Sequence, residues 1–268
     1  MKDKRVLFIS SEVVPYLPET EISSNSFQAA KTVSSIGGQT RIFMPRFGNI
    51  NERRHQLHEV IRLSGMNLVI NDLDMPLIIK VASIPKERMQ VYFIDNEEYF
   101  KRKATFTDED GKLFPDNDER AIFFAKGVIE TVKKLNWAPD IIHVHGWMAS
   151  LLPLYLKQYF KDEPLFTDSK VVTSIYAEGY DGDLGQELIS KIMFDKIEET
   201  SLEVLKESSY VNLMRLAADN SDGVIFASED VNSELMAYVE NSETPTLDYK
   251  SPDEYESAYS EFYKSLMA

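Results

Sequence analysis

The chain opens on an unbroken apolar run, Val6 to Ile9, set between Arg5 and Ser10. A continuous apolar run without alternation predicts a strand buried on both faces. A polar loop is expected from Ser11 to about Ser24, then a helix over residues 26–36 stopped by Gly37 and Gly38. Residues 40–44 read as a second strand, closed by Pro45. Strand, loop, helix and strand in that order begin a doubly wound sheet.

Residues 57–95 carry a different pattern. Residues 57–61, 67–70, 77–82 and 90–94 are short β-like runs, with turn signals at Asn71-Asp72 and Ile84-Pro85-Lys86 between them. They predict a β-rich insertion that returns to the sheet. The polar segment over residues 95–116 is long for a connection, and loops of that length are more often functional than accidental. A helix follows, with Ala121, Ile122, Ala125, Val128, Ile129, Val132 and Leu135 at helical spacing behind Asp116, Asn117 and Asp118 as cap candidates. Residues 140–145 read as a buried strand, 147–160 as a helix bent near Pro153, and 170–175 as a strand. Residues 187–207 and 210–219 are expected to be helical, 224–226 a last strand and 229–239 a helix. Such alternation predicts a mainly parallel sheet.

The tail breaks this rhythm. Residues 241–250 are polar, contain Pro245 and read as a linker after one domain spanning residues 1–240. Ser251, Pro252 and Glu254 then form a capping-box pattern. Tyr255, Ala258, Tyr259, Phe262, Tyr263 and Leu266 recur as one helical stripe over residues 251–268. The expectation is an amphipathic helix packed back on the domain. A membrane is the poorer partner, because the polar face carries Glu and little Lys.

Composition narrows the classes. The 268 residues suffice for one large α/β domain, and no apolar stretch is long enough for a membrane span or a secretory leader. There is no cysteine, which excludes disulfides and thiolate metal sites and fits a cytoplasmic protein. The net charge of −15 disfavours nucleic acid and anionic membrane surfaces, but says little about a neutral sugar.

Three features could carry chemistry, each beside a plainer reading. Residues 10–15 leave the C-terminal end of the first strand, where open α/β sheets bind ligands, or they are an ordinary connection. His143 and His145 share one strand face; His145 meets a ligand at the strand end or is a satisfied structural histidine. Two histidines without a third ligand do not make a metal site, and neither metal nor cofactor is expected. The run from Asp116 to Arg120 contacts a ligand or simply caps a helix. The acidic, glycine-rich segment of residues 179–185 does not match a phosphate-cradling loop.

Taken together these motifs resemble the N-terminal half of bacterial glycogen and starch synthases. The resemblance rests on VLFISSEVVPY (6–16), FMPRFGNI (43–50), YFIDNEEYF (92–100), PDNDER (115–120), PDIIHVHGW (139–147) and LPLYL (152–156), collinear over residues 4–240. It implies a Rossmann-like, doubly wound, mainly parallel sheet, one half of a GT-B glycosyltransferase. The family reaction is glucose transfer from ADP-glucose to an α-1,4-glucan. By resemblance His145 would be the cleft histidine near the transferred sugar. Asp116, Asn117, Trp147, Glu12 and Tyr16 would line the glucan side.

The departures from the family pattern bear on activity. Its Lys-x-Gly-Gly-Leu loop is Pro18-Glu19-Thr20-Glu21-Ile22 here, and two carboxylates now stand where a diphosphate would lie. The family's Asp after the histidine is Gly146, and its Ile-His-Asn is replaced around Ile175-Tyr176-Ala177. The chain passes at Asn241 to a tail helix resembling the family's final helix, as if the second domain were excised and the crossover helix kept. A degenerate homologue that binds glucan or modulates glycogen metabolism is the leading expectation. The alternatives are a transferase subunit completed in trans by a partner protein and an interaction scaffold unrelated to sugars.

Overall fold

The computed structural model describes residues 1–268. In chain order it comprises β1 (Arg5–Ser10), α1 (Glu21–Ser35), β2 (Gln39–Pro45), α2 (Glu52–His55), β3 (His58–Glu59), β4 (Met66–Ile70), β5 (Leu73–Ser83), β6 (Gln90–Asp95), α3 (Glu97–Phe100) and α4 (Asn117–Leu135). Then come β7 (Ile141–His145), α5 (Leu152–Lys157), β8 (Lys170–Ile175), α6 (Leu188–Met193), α7 (Tyr210–Asp219), β9 (Gly223–Phe226), α8 (Ser233–Glu240), β10 (Thr246–Leu247) and α9 (Tyr255–Met267).

The sheet runs β10-β9-β8-β7-β1-β2-β6-β5-β3, and β4 forms a hairpin with β5. From β10 to β6 every pairing is parallel, while β5 and β3 are antiparallel. The apolar runs of β1, β7 and β9 are buried throughout or nearly so, as helices on both faces require. Helices α4, α5 and α7 pack on one face, and α1 and α9 pack together on the other. The sheet is thus doubly wound with a β-rich insertion over β3–β5.

Several boundaries depart from the sequence reading, for local reasons. Helix α1 begins at Glu21, ahead of the expected start, because Thr20 and Ser23 cap it reciprocally through 2.8 and 3.0 Å bonds. The run of Ser23, Ser24, Asn25 and Ser26 has low helix propensity and hid that first turn. Of residues 57–61 only His58–Glu59 pair as a strand. The segment 147–160 is not one bent helix: a 3-10 turn, Trp147–Ala149, precedes α5, and Pro153 sits in the first turn of α5 rather than at a kink. Residues 187–207 split into α6 and a 3-10 helix, Glu199–Lys206, with Lys196 at φ +62° between them. Helix α8 starts at Ser233 under an Asn232 cap, later than expected. The linker is partly ordered into the sheet, since Thr246 and Leu247 pair with Val224 and Ile225.

Ser251 introduces α9 by donating its N–H at 3.1 Å and its hydroxyl at 2.9 Å to the Glu254 carboxylate. The helix lays Tyr255, Tyr259, Phe262 and Tyr263 against the sheet face beside α1, and all four are buried. At its far end Phe262 and Leu266 press on Gly223, where a Cβ would stand 2.9 Å from either side chain. No helix of the molecule is long and apolar enough to cross a membrane.

Candidate functional site

Strand order reverses between β1 and β7, because β1 continues to β2 on one side and β7 to β8 on the other. A crevice opens beyond the C-terminal ends of strands at such a switch point. Ser10 and His145 are register partners there, and the Ser11 N–H donates to the His145 carbonyl at 3.0 Å. Gly146 then turns the chain at φ +79°, ψ 154°, a region essentially reserved for glycine. A Cβ at Gly146 would lie 2.0 Å from the Ser11 hydroxyl oxygen. The Asp that the family pattern places at this position therefore has no room beside Ser11.

His145 is wholly buried. Its Nδ1 is 2.7 Å from the Tyr176 hydroxyl, and its Nε2 has no hydrogen-bond partner. Burial pushes its pKa down to about 3, so the ring is neutral at physiological pH. His143 lies on the same face with its ring centroid 4.0 Å away. It is held between the Tyr263 hydroxyl at 2.7 Å and the Ser174 hydroxyl at 2.8 Å. Burial and the neighbouring His145 lower its pKa as well. Tyr259 and Tyr263 of α9 thus cover His143, while Tyr176 covers His145.

Glu12 is buried next to the crevice and accepts a 2.6 Å hydrogen bond from the Thr20 hydroxyl. Burial raises its pKa, against the lowering effect of Thr20. Trp147 is buried between the rings of Phe106 at 4.8 Å and Tyr180 at 5.0 Å. Asn117 donates to the Phe106 carbonyl at 2.9 Å, so Asn117 and Trp147 meet through Phe106. His145, Glu12, Trp147 and Asn117 are accordingly grouped around one end of the sheet.

The other two residues selected from the sequence make contacts of their own. Tyr16 is buried edge-on to Phe93, 4.9 Å between centroids, and to His55 at 5.0 Å, with its hydroxyl unpartnered. Asp116 occupies the N-cap position of α4 but makes no side-chain cap bond; its carboxylate pairs with Arg102 instead. The capping reading of that residue is corrected by this ion pair.

Residues to which the sequence reading gave no individual role also shape the site. Arg120 is fully buried, donates to Asn117 at 2.5 Å and to the Thr105 carbonyl at 2.7 Å, and lies near the rings of Phe47, Phe100 and Phe114. Desolvation lowers its pKa to about 9. The only signal was its place at the end of the acidic run 116–119, which reads equally well as a solvated helix start. Tyr176 directly follows β8 and Ser228 lies two residues beyond β9, the positions where strand ends meet a crevice.

The first turn of α1 faces the crevice and is filled by the chain's own groups. Ser228 donates its hydroxyl to Glu21, and Asn25 donates to the Ala227 carbonyl at 3.2 Å. Glu19 accepts from Ser24 at 3.2 Å, and Glu178 stands close enough to Glu12 to raise its pKa further. Helix N-termini attract anions through free N–H groups and the helix dipole. Here a reciprocal cap and the Glu21 carboxylate already use that field.

Beside Trp147, a cleft of about 410 Å³ is lined by Gly179, Tyr180, Asp181, Ser209, Tyr210 and Asn232. A neighbouring groove of about 400 Å³ runs between Phe114-Pro115 and Asp181-Gly182-Asp183. No three His, Cys, Asp or Glu side chains converge in a way that could hold a metal ion.

Comparison with known proteins agrees with this geometry. The model of the starch synthase catalytic domain family matches residues 5–244. The glycogen synthase of Chlorobium limicola is 36% identical over 219 residues, covering 81% of this chain and 44% of that protein. The glycogen synthase of Chlorobium luteolum is 35% identical over 236 residues, covering 88% of this chain and 48% of that protein. Among solved structures, the catalytic domain of starch synthase IV from Arabidopsis thaliana, bound to ADP and acarbose, superposes with a TM-score of 0.74 at 15% identity, over 92% of this chain and 51% of that one. The fold is therefore that of a Rossmann-like half of a GT-B enzyme, and the chain spans about half the length of the curated relatives it matches. On the family match and these identities together, the chain belongs to the glycogen and starch synthase family, whose catalytic-domain pattern it carries from residue 5 to residue 244.

Proposed function

We propose that this chain is a glycogen-synthase homologue that binds an α-glucan and does not by itself transfer glucose from a nucleotide sugar. One observation carries the reading. The N-terminus of α1, where the family pattern puts a lysine and two glycines, is closed by the Thr20–Ser23 cap and ringed by Glu12, Glu19 and Glu21. A sugar diphosphate brought there meets like charge and finds no lysine among residues 18–22. His145, the residue the resemblance would place near the transferred sugar, is sealed beneath Tyr176 and is reached by no solvent.

A neutral glucan meets a different surface. The cleft beside Trp147 offers the partly exposed rings of Tyr180 and Tyr210 with Asp181, Ser209 and Asn232 as hydrogen-bonding groups. Aromatic faces with a few polar groups suit a polyol ring, and the acidic character excludes phosphate without repelling a sugar. Asn117 and Trp147 support this wall from beneath through Phe106 and Tyr180.

Isothermal titration of the purified chain with maltoheptaose, and separately with ADP-glucose, tests the reading. Saturable maltoheptaose heat that weakens in Tyr180→Ala, with no ADP-glucose heat, is the expected result. Clear ADP-glucose binding would overturn it, and silence toward both ligands would remove the glucan half of the proposal.

A further inference from the structure

Four large apolar side chains on the side of the sheet covered by α4 are left in solvent. Leu73 is 51% exposed, Tyr159 44%, Met193 39% and Phe194 49%. They come from three separate segments, the β4–β5 hairpin, the end of α5 and the end of α6, which Lys126 of α4 ties together through Val69, Tyr159 and Asp195. The Lys126 ammonium donates to the Val69 carbonyl at 2.7 Å, pairs with Asp195 at 2.5 Å, and lies 5.0 Å from the centre of the Tyr159 ring.

This arrangement holds the exposed groups rigidly. Lys126 and Asp195 are both buried, and the second Asp195 oxygen accepts from the Tyr155 hydroxyl at 2.8 Å. A buried ion pair is a poor source of stability compared with apolar packing. What it does here is fix its surroundings. Phe194 directly precedes the locked Asp195, and Tyr159 is braced by Lys126 on its face and by Phe160 edge-on at 4.7 Å. Preorganised aromatic side chains lose little entropy when a partner covers them, which is the property of binding hot spots.

The rim decides what that partner is. Asp72 and Asp74 flank Leu73 in the hairpin and are exposed, and Glu198 and Glu199 follow Phe194 on the surface. The exposed cations are Lys196 and, two residues beyond Tyr159, Lys161, which stands beside exposed Asp162, while Lys133 is already paired with Glu130 and Glu163. A second copy of a chain with a net charge of −15 would bring the same acidic rim against this one. We propose that this patch is a docking surface for a partner segment that is apolar along one face and basic along its flanks, such as an amphipathic helix carrying leucines between lysines or arginines. The surface is separate from the crevice and does not depend on whether that crevice binds glucan.

The test uses the full chain and a fluorescein-labelled amphipathic helical peptide of about 18 residues built from Leu and Lys, read by fluorescence anisotropy at low salt. Saturable binding should weaken about tenfold in Phe194→Ser and in Tyr159→Ser, and remain unchanged in Tyr238→Ser, an exposed aromatic on α8 at the other edge of the sheet. A Leu and Glu peptide of the same length should bind at least about tenfold more weakly. Circular dichroism of each variant confirms that the fold is kept. Equal affinity for the acidic peptide, equal loss in Tyr238→Ser, or no loss in Phe194→Ser and Tyr159→Ser would overturn the proposal. So would a dimer, detected by sedimentation, that Phe194→Ser dissolves, because the occupant would then be a second copy.

Discussion

Replacing Tyr263 by Phe isolates one interaction between α9 and the sheet. The ring is fully buried and its hydroxyl lies 2.7 Å from His143 Nδ1. Phenylalanine keeps the ring, so no cavity of side-chain size opens and the apolar contribution of the helix is preserved. What is lost is one hydrogen bond to an imidazole that cannot reach water. The other ring nitrogen keeps its 2.8 Å bond to Ser174. A buried polar group left without its partner costs about 1–3 kcal/mol. In a protein of this size that is a fall in Tm of a few degrees, up to about 10 °C. Urea unfolding at pH 7.5, followed by far-UV circular dichroism, should show a lower midpoint with an unchanged slope. His143→Leu orphans the Tyr263 hydroxyl in turn, so the double variant should lose less than the two single losses added, by about 1 kcal/mol. A Tyr263→Phe midpoint equivalent to less than about 0.5 kcal/mol of loss, the range of ordinary surface changes, would refute the reasoning that α9 is anchored through this bond.

Three other outcomes follow from the same structure. His143 and His145 are both depressed in the folded state, so the unfolded chain takes up protons near 6.5 while folded His145 does not until about 3; stability is therefore full above about pH 6.5 and falls as pH drops toward 3, and a urea midpoint that is flat over this window would contradict it. Gly146→Ala forces a Cβ against Ser11 Oγ in a backbone region essentially closed to alanine, and should cost at least about 1–3 kcal/mol in thermal unfolding, where an unchanged melting curve would show that the turn relaxes. Lys126→Met leaves the Asp195 carboxylate buried and unpaired, so a loss of about 3–5 kcal/mol is expected; Lys126→Met combined with Asp195→Leu should recover much of it, and a double variant no more stable than the single one would argue against the ion pair as the cause.

Much of the architecture was legible in the one-dimensional pattern, for a simple reason. Strands β1, β7 and β9 are covered on both faces, so nearly every position must be apolar, and an unbroken run such as Val6 to Ile9 admits few other readings. The stripe from Tyr255 to Leu266, with Ser251 and Glu254 ahead of it, announced a helix with one buried face. Cap chemistry and periodicity act over a few residues, and a sequence displays such information directly. Where local signals were weak or mixed, the boundaries slipped: the serine-rich first turn of α1, and the segment 187–207, where Asp195 is drawn to Lys126 and Lys196 takes φ +62°.

The surroundings of the site residues were decided only by tertiary structure. The sequence places His143 and His145 on one strand face by alternation, yet nothing local says that Tyr263, 120 residues after His143, closes over that face. Nothing local says that Gly146 must be glycine because Ser11 stands behind it, or that Glu21 is drawn to Ser228 across 207 positions. Burial, hydrogen-bond partners and pKa depend on which distant segments the sheet order brings together. Residue types and their periodicity determined the elements and the family of this protein. Long-range packing decided which of its polar side chains meet solvent, and so which of them remain free to meet a ligand.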